Sequence, residues 1–229
     1  MIDSVVVIGS RGRVGSAMSA RLRERGIALR EDRADLVLLC VPDRAIAKVA
    51  ADLEPGPWIA HTSGGTPLRA LDPHERRFSL HPLQTFTLGR GAEQLDGAWA
   101  AVTGETDDAL AVSRWLADKL GLEPFELDDS RRAHYHAGAA IASNYLVTLR
   151  RAAGELLAVA DAPAEALDPL MRRVIENGFQ LTGPIERGDW ETVERHRVAI
   201  AESAPHLLEA YDAMARLTDR YNVLQGASA

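Results

Sequence analysis

The run Val5-Val6-Val7-Ile8-Gly9 constrains the fold more than any other stretch, because it is continuously β-branched and ends on a glycine. Uninterrupted runs of this kind belong to parallel strands covered on both faces. Two further glycines follow at Gly12 and Gly15, and the apolar or small residues Val14, Ala17, Met18 and Leu22 recur at helical spacing, closed by Gly26. Strand, glycine turn and helix come in that order. The turn Gly9-Ser10-Arg11-Gly12-Arg13-Val14-Gly15 carries the parts of a dinucleotide fingerprint. One glycine serves a tight turn, one lets backbone approach a pyrophosphate, and one lets helix and strand pack closely, with the helix N-terminus facing the anion. Its spacing is G-x-x-G-x-x-G, against the usual G-x-G-x-x-G.

The rhythm continues along the chain. Leu36 to Val41 reads as a second buried strand stopped by Pro42, helical spacing returns at Ile46, Val49, Ala50 and Leu53, and Trp58 to His61 and Phe78 to Leu80 read as short strands. Ala98 to Val102, a helix over Asp107 to Leu120, and Glu123 to Leu127 complete a doubly wound, mostly parallel sheet. The second βα unit is shortened. Parallel neighbours need a connection of a dozen or more residues, and too little chain lies between Arg30 and Leu36 for one. Two arrangements fit: Ile27 to Arg30 pairs antiparallel with Leu36 to Val41, or strand two with its helix is largely deleted. After Asp128 the pattern is helical only, rich in Ala and Leu, with breaks at Asp161-Ala162-Pro163, Thr182 to Gly188 and Pro205. The boundary is therefore expected at residue 128, giving a nucleotide-binding domain over 1–128 and an all-helical substrate and dimerisation domain over 129–229. Asp128, Asp129 and Ser130 offer N-cap residues to the helix that carries His136.

Composition bounds the function. The chain has 229 residues, 46% of them apolar, enough for a real core. A formal charge of −7 argues against nucleic acid, whose binding needs clustered cations. Its apolar runs are too short for a membrane span or a signal segment, so a cytoplasmic protein is expected. The single cysteine, Cys40, sits inside an apolar run and reads as a small buried hydrophobe of a reducing compartment.

Several polar residues stand where chemistry could occur. His81 follows a short strand and precedes Pro82, which puts it at the carboxyl end of the sheet, where open α/β folds bind ligands. An imidazole there could handle the proton that accompanies hydride transfer. Ser63, within His61-Thr62-Ser63-Gly64-Gly65, ends the preceding strand and is favoured over His61 as a substrate or nicotinamide contact. On the first helix of the second domain His136 and Ser143 are nearly eclipsed, and Asn144 lies about 80° from His136 at ~100° per residue. Catalytic roles are assigned to His81, His136, Asn144 and Ser63. Near the cofactor, Glu31 could meet a ribose hydroxyl, whereas Arg11, Arg13 and Arg30 could hold a 2′-phosphate, which favours NADP with NAD as the alternative. His134 and His136 diverge on a helix, and no cysteine or carboxylate cluster completes a metal site. Arg187 could clamp a carboxylate, though with Asp189 it more readily locks a loop or a subunit contact.

Five segments in order carry a family resemblance: Val41-Pro42-Asp43, His61-Thr62-Ser63-Gly64, His81-Pro82-Leu83-Gln84-Thr85-Phe86, Tyr135-His136 through Asn144 to Leu149, and Leu181-Thr182-Gly183-Pro184 with Arg187-Gly188-Asp189. Together they span nearly the whole chain. They resemble a bacterial family of Rossmann-like NAD(P)-binding oxidoreductases with a C-terminal helical domain of unknown function, relatives of prephenate dehydrogenase, ketopantoate reductase and 6-phosphogluconate dehydrogenase. The resemblance implies hydride transfer between NADP(H) and a small carbonyl, imine or hydroxy metabolite. The cofactor would lie along the glycine turn (Gly9, Ser10, Arg11, Gly12, Arg13, Val14, Gly15) with Arg30, Val41 and Pro42. It also implies that His81 matches the histidine of the His-Pro motif and Asn144 the helix asparagine of hydroxyacid dehydrogenases, whose lysine is replaced here by Ala140. A homodimer is expected, since an alanine- and leucine-rich helical domain wants a partner surface. The rival expectation is a non-catalytic ligand-binding or regulatory module that kept the fold and lost the dinucleotide.

Overall fold

The structure is a computed structural model and describes residues 2–226. Contacts divide the chain into two compact units, Met1–Ser143 and Asn144–Ala229.

The first unit is built on one seven-stranded sheet in the order β2-β1-β3-β4-β5-β6-β7, with strands Ser4–Ile8 (β1), Ala28–Leu29 (β2), Leu36–Leu39 (β3), Trp58–His61 (β4), Arg77–Pro82 (β5), Trp99–Gly104 (β6) and Glu123–Glu126 (β7). All pairings are parallel except β5 with β6. This is the doubly wound, Rossmann-like arrangement. Successive strand residues point to opposite faces, and both faces are covered. Leu36, Leu38, Ala60, Phe78 and Leu80 pack with Met18 and Leu22 of helix α1 (Arg13–Glu24) and with Leu116 and Leu120 of α3 (Asp107–Leu120). Val37, Leu39 and Ile59 pack on the other side with Ile46 and Ala50 of α2 (Asp43–Ala51) and with Leu68 and Leu71 of a 3₁₀ turn. Two-sided burial explains why these strands read as unbroken apolar runs.

The shortened second unit takes the deleted form. β2 pairs parallel with the outer edge of β1, so it does not form an antiparallel hairpin with β3. Val5 pairs with Leu29 on one side and Leu36 on the other. Both strands therefore meet β1 at the same level, and the link over 30–35 needs no crossover helix. The Asp35 carboxylate secures that link by accepting from the Asp3 and Ser4 N–H groups, both at 3.0 Å, and from the Ser4 hydroxyl at 2.7 Å.

Helix α4 (Arg132–Ala140) closes the first unit and runs into a π-helical turn at Ile141–Tyr145. Asp128 caps the 3₁₀ turn before α4 by accepting from the Ser130 N–H at 2.8 Å. The second unit contains α5 (Leu146–Val159), α6 (Leu167–Glu176), α7 (Trp190–Ser203) and α8 (Leu208–Gly226), with no strand among its described residues. Asp189 caps α7 through the Thr192 N–H and hydroxyl. Among the described residues no helix is long and apolar enough to cross a membrane.

Candidate functional site

Parallel strands β1, β3, β4 and β5 present their carboxyl ends side by side, and each ends in one of the singled-out segments. The chain leaves β1 for β2 on one side and returns to β3 on the other, so β1 and β3 flank a topological switch point, the usual ligand crevice of such sheets.

At that switch point the glycine turn is forced by close contact. Gly9 has φ +90°, and a Cβ on it would stand 2.3 Å from the Cys40 carbonyl oxygen and 3.5 Å from Val41 Cγ1. A Cβ on Gly15 would stand 2.3 Å from the Gly9 carbonyl oxygen. Both positions exclude any side chain. Gly12 caps α1 with backbone only, donating its N–H to the Gly9 carbonyl at 2.8 Å. No side chain caps the helix, so its first-turn N–H groups stay available to an anion. Ser10, Arg11 and Arg13 are exposed around it, and the two arginines make no ion pair among the described residues. Val41 and Pro42 lead from β3 into α2, with Pro42 exposed. Arg30 is placed differently. Its N–H bonds to the Val5 carbonyl at 3.0 Å, level with the start of β1, about 10 Å of strand below Gly9.

At the end of β4 the loop Ser63-Gly64-Gly65-Thr66 is drawn tight by the Ser63 hydroxyl. It donates to Asp43 Oδ2 at 2.8 Å and accepts from the Gly65 and Thr66 N–H groups at 3.2 and 3.0 Å. The role expected of Ser63, orienting a reacting oxygen, asks for a hydroxyl that is here committed to the loop. His61 is fully buried. Its Nδ1 accepts from the Ser63 N–H at 3.3 Å, its Nε2 has no partner among the described residues, and burial, helped by the Arg132 charge, holds its pKa down to about 4.

His81, at the end of β5, is the centre of the arrangement. Its Nδ1 lies 2.6 Å from the Tyr135 hydroxyl, with the two rings edge-on at 5.5 Å between centroids. A Cβ on Gly64 would fall 2.8–3.0 Å from three of its ring atoms, so glycine is what lets the imidazole lie against the loop. Nε2 has no hydrogen-bond partner among the described residues and is not among their fully enclosed unpartnered atoms, so part of it meets solvent. Burial of the ring, then the His136 and Arg132 charges, push its pKa down to about 4. His136 stands 6.3 Å away, centroid to centroid, with its Nδ1 3.1 Å from where a Gly65 Cβ would be. His81 and His136 therefore share the Gly64-Gly65 loop.

Arg132 fixes α4 to this loop. It is 3% exposed, donates from Nε to Asp129 Oδ1 at 2.5 Å and from Nη1 to the Ser63 carbonyl at 3.3 Å, and its Nη2 reaches the Ser79 hydroxyl of β5. Asp129 also accepts the Leu68 N–H. Sequence reasoning missed Arg132, because nothing in the sequence separates it from its exposed neighbour Arg131. It named Tyr135 only as part of a segment, since a separation of 54 positions between Tyr135 and His81 hides their contact.

Comparison with known proteins places the chain. Residues 98–218 match the family described as Domain of unknown function (DUF2520). The chain belongs to this family. No curated protein matches the DUF2520 chain. Among solved structures it is similar to TM1727 from Thermotoga maritima at 24% identity, with 98% of this chain and 99% of that one covered and a TM-score of 0.78. It is also similar to BF3122 from Bacteroides fragilis, a candidate NADP oxidoreductase, at 19% identity, with 96% and 98% covered and a TM-score of 0.78. A third is 1-pyrroline-5-carboxylate reductase from Streptococcus pyogenes, at 16% identity, with 95% and 98% covered and a TM-score of 0.62. These likenesses establish the Rossmann-like fold followed by helices.

In the DUF2520 chain Asn144 lies in the second unit, exposed, with its carbonyl accepting from the Thr148 hydroxyl at 3.2 Å. Its backbone belongs to the π turn at Ile141–Tyr145, where the sequence spacing assumes an unbroken α-helix. Ser143 donates its hydroxyl back to the Ala139 carbonyl at 2.7 Å.

Proposed function

We propose that the protein is an NAD(P)-dependent oxidoreductase acting on a small carbonyl, imine or hydroxy metabolite, with His81 as the proton-handling residue and His136 as second candidate. The observation that carries the reading is the pairing of two sites along one sheet edge. The glycine turn, tight at Gly9 and Gly15, and the Nε2 of His81 stand three strand spacings apart, about 14 Å. A ligand touching both is elongated, with an anionic part at the α1 N-terminus and a reacting part near the imidazole. A nicotinamide dinucleotide has that form. When bound it would supply or accept the hydride, while the protein would position it and move a proton.

Gly9, Gly12, Gly15 and the first-turn N–H groups of α1 would hold the pyrophosphate, next to Val41 and Pro42. Arg11 and Arg13, which have no carboxylate partner among the described residues, favour NADP. Arg30 could contribute only by reaching up from the lower level of β2. Fluorescence titration with NADPH, NADH and AMP tests the reading: micromolar to submillimolar binding of a dinucleotide supports it, and no binding of either dinucleotide overturns it. His81→Ala is then expected to lose most turnover on a panel of carbonyl and imine substrates, and His136→Ala less.

The shortened β2 favours a second reading, a ligand-binding module without redox chemistry, because the strand that would meet the adenosine ribose ends early. Tight AMP binding with no dinucleotide binding would select it. We also propose a homodimer formed through the helical unit, supported by the large apolar residues that α5, α6 and α8 leave exposed.

A further inference from the structure

We propose that Tyr135 is a positioning residue that fixes His81 as a neutral imidazole with its proton on Nε2, so that the pair delivers protons to a carbonyl oxygen and the site works as a carbonyl reductase. This rests on the oxidoreductase reading above and narrows its substrate class.

Relative acidity decides which atom carries the hydrogen in the 2.6 Å contact. A phenol is a stronger acid than a neutral imidazole N–H, and an imidazole nitrogen is a better acceptor than a phenol oxygen. The hydroxyl therefore donates and Nδ1 accepts. Burial reinforces this by pushing the Tyr135 pKa up to about 12, so the phenol keeps its proton, while His81 is held neutral. A neutral imidazole with Nδ1 used as acceptor has its single proton on Nε2, the nitrogen that in part meets solvent. The ring is also held in place. Gly64 lies against one side, and Tyr135 is itself braced edge-on by Phe125 at 5.9 Å.

Alone, such an imidazole is a poor acid, because losing the Nε2 proton would leave an anionic ring in a half-buried site. Tyr135 removes that obstacle. As the carbonyl carbon gains a hydride, its π pair moves to oxygen, which takes the Nε2 proton; the phenol proton passes to Nδ1 and the ring stays neutral. Water then reprotonates the phenolate, which lies near the Arg132 charge. The two electrons are those of the reduced nicotinamide dinucleotide. Besides Tyr135, the charged or titratable groups that act on His81 are His136 and Arg132 from α4 and Asp43 from the start of α2, and His61 at the end of β4 is coupled to it. An iminium substrate would need no such donor at its reacting nitrogen, so the built pair favours a carbonyl.

The test uses the apo protein first. Long-range ¹H–¹⁵N spectra, with His81 assigned by its loss in His81→Asn, should show the Nε2–H tautomer at neutral pH, and Tyr135→Phe should lose that preference. An Nδ1–H tautomer in the wild type, or an unchanged spectrum in a folded Tyr135→Phe, overturns the proposal. If the variant does not fold, the wild-type tautomer alone decides. The second readout is the pH profile of carbonyl reduction. The wild type should be flat across neutral pH, whereas Tyr135→Phe, left with imidazolium as its only acid, should fall about tenfold per pH unit with little change in KM. Parallel profiles overturn the relay. Failure of dinucleotide binding would overturn the oxidoreductase reading and leave the tautomer result standing, so the two failures are distinct.

Discussion

Arg132 and Asp129 show what single residues contribute here. A guanidinium that is 3% exposed is accommodated by a carboxylate at 2.5 Å, a backbone carbonyl and a hydroxyl, which satisfy its donors. Asp129→Ala would leave that charge buried with its neutral partners alone, and with the carboxylate itself partly exposed the loss is about 1–3 kcal/mol. Urea denaturation should show that loss, together with weaker protection of the Leu68 amide. Buried His61 and half-buried His81 give a pH signature. His61 and His81 both fall from an ordinary value near 6.5 to about 4, so the unfolded chain binds their protons more readily than the native one. Their stabilising contribution is present above pH 6.5 and lost as the pH falls towards 4, with a slope of up to roughly 1.4 kcal/mol per pH unit for each histidine. His61→Phe should flatten part of that slope in an acid-unfolding series, and an unchanged slope would show that His61 is not the group responsible. At this scale the sequence was only partly legible. His81 could be placed at a strand end from its Pro82 neighbour, but which arginine of Arg131-Arg132 turns inward, and that Tyr135 meets His81, depend on contacts between distant segments.

At the scale of elements, the strand, turn and helix pattern was readable because each strand is buried on both faces, which leaves an unbroken apolar run in the sequence. The second unit was harder, since two residues of β2 carry almost no pattern. Sequence spacing left its pairing open between two forms, and the coincidence of Leu29 and Leu36 opposite Val5 decides it. The glycine turn separates sharply when each glycine is tested for space. Gly15→Ala would drive a Cβ to 2.3 Å from backbone of the turn, against 3.2 Å for Gly12→Ala. Overpacking of the first kind costs about 1–3 kcal/mol or more, so Gly15→Ala should lower the melting temperature and abolish dinucleotide binding. Gly12→Ala should keep its melting temperature within a few degrees, because its neighbour need move only a few tenths of an ångström. Equal effects from both would contradict the tight Gly9–Gly15 approach.

For the whole molecule the distribution of buried apolar residues is uneven. The first unit has two packed clusters, one on each face of the sheet, whereas in the second unit only Leu167, Val193, Ile200 and Ala204 are buried apolar residues among those described. So small a core does not offset the conformational entropy of ordering four helices. Meanwhile Met214, Leu217 and Tyr221 lie on one face of α8 at helical spacing, and Leu170 and Val174 do the same on α6, all exposed. A second copy of the chain presenting the same faces would cover them by two-fold symmetry. Sedimentation of the wild type should therefore give a dimer, with a melting temperature that rises with protein concentration. Met214→Glu with Leu217→Glu should yield monomer whose helical signal melts earlier and less cooperatively, while the sheet unit, which has its own core, keeps its transition. A wild type that sediments as monomer at every concentration would mean that the apolar faces of α6 and α8 are not an interface between copies of this chain.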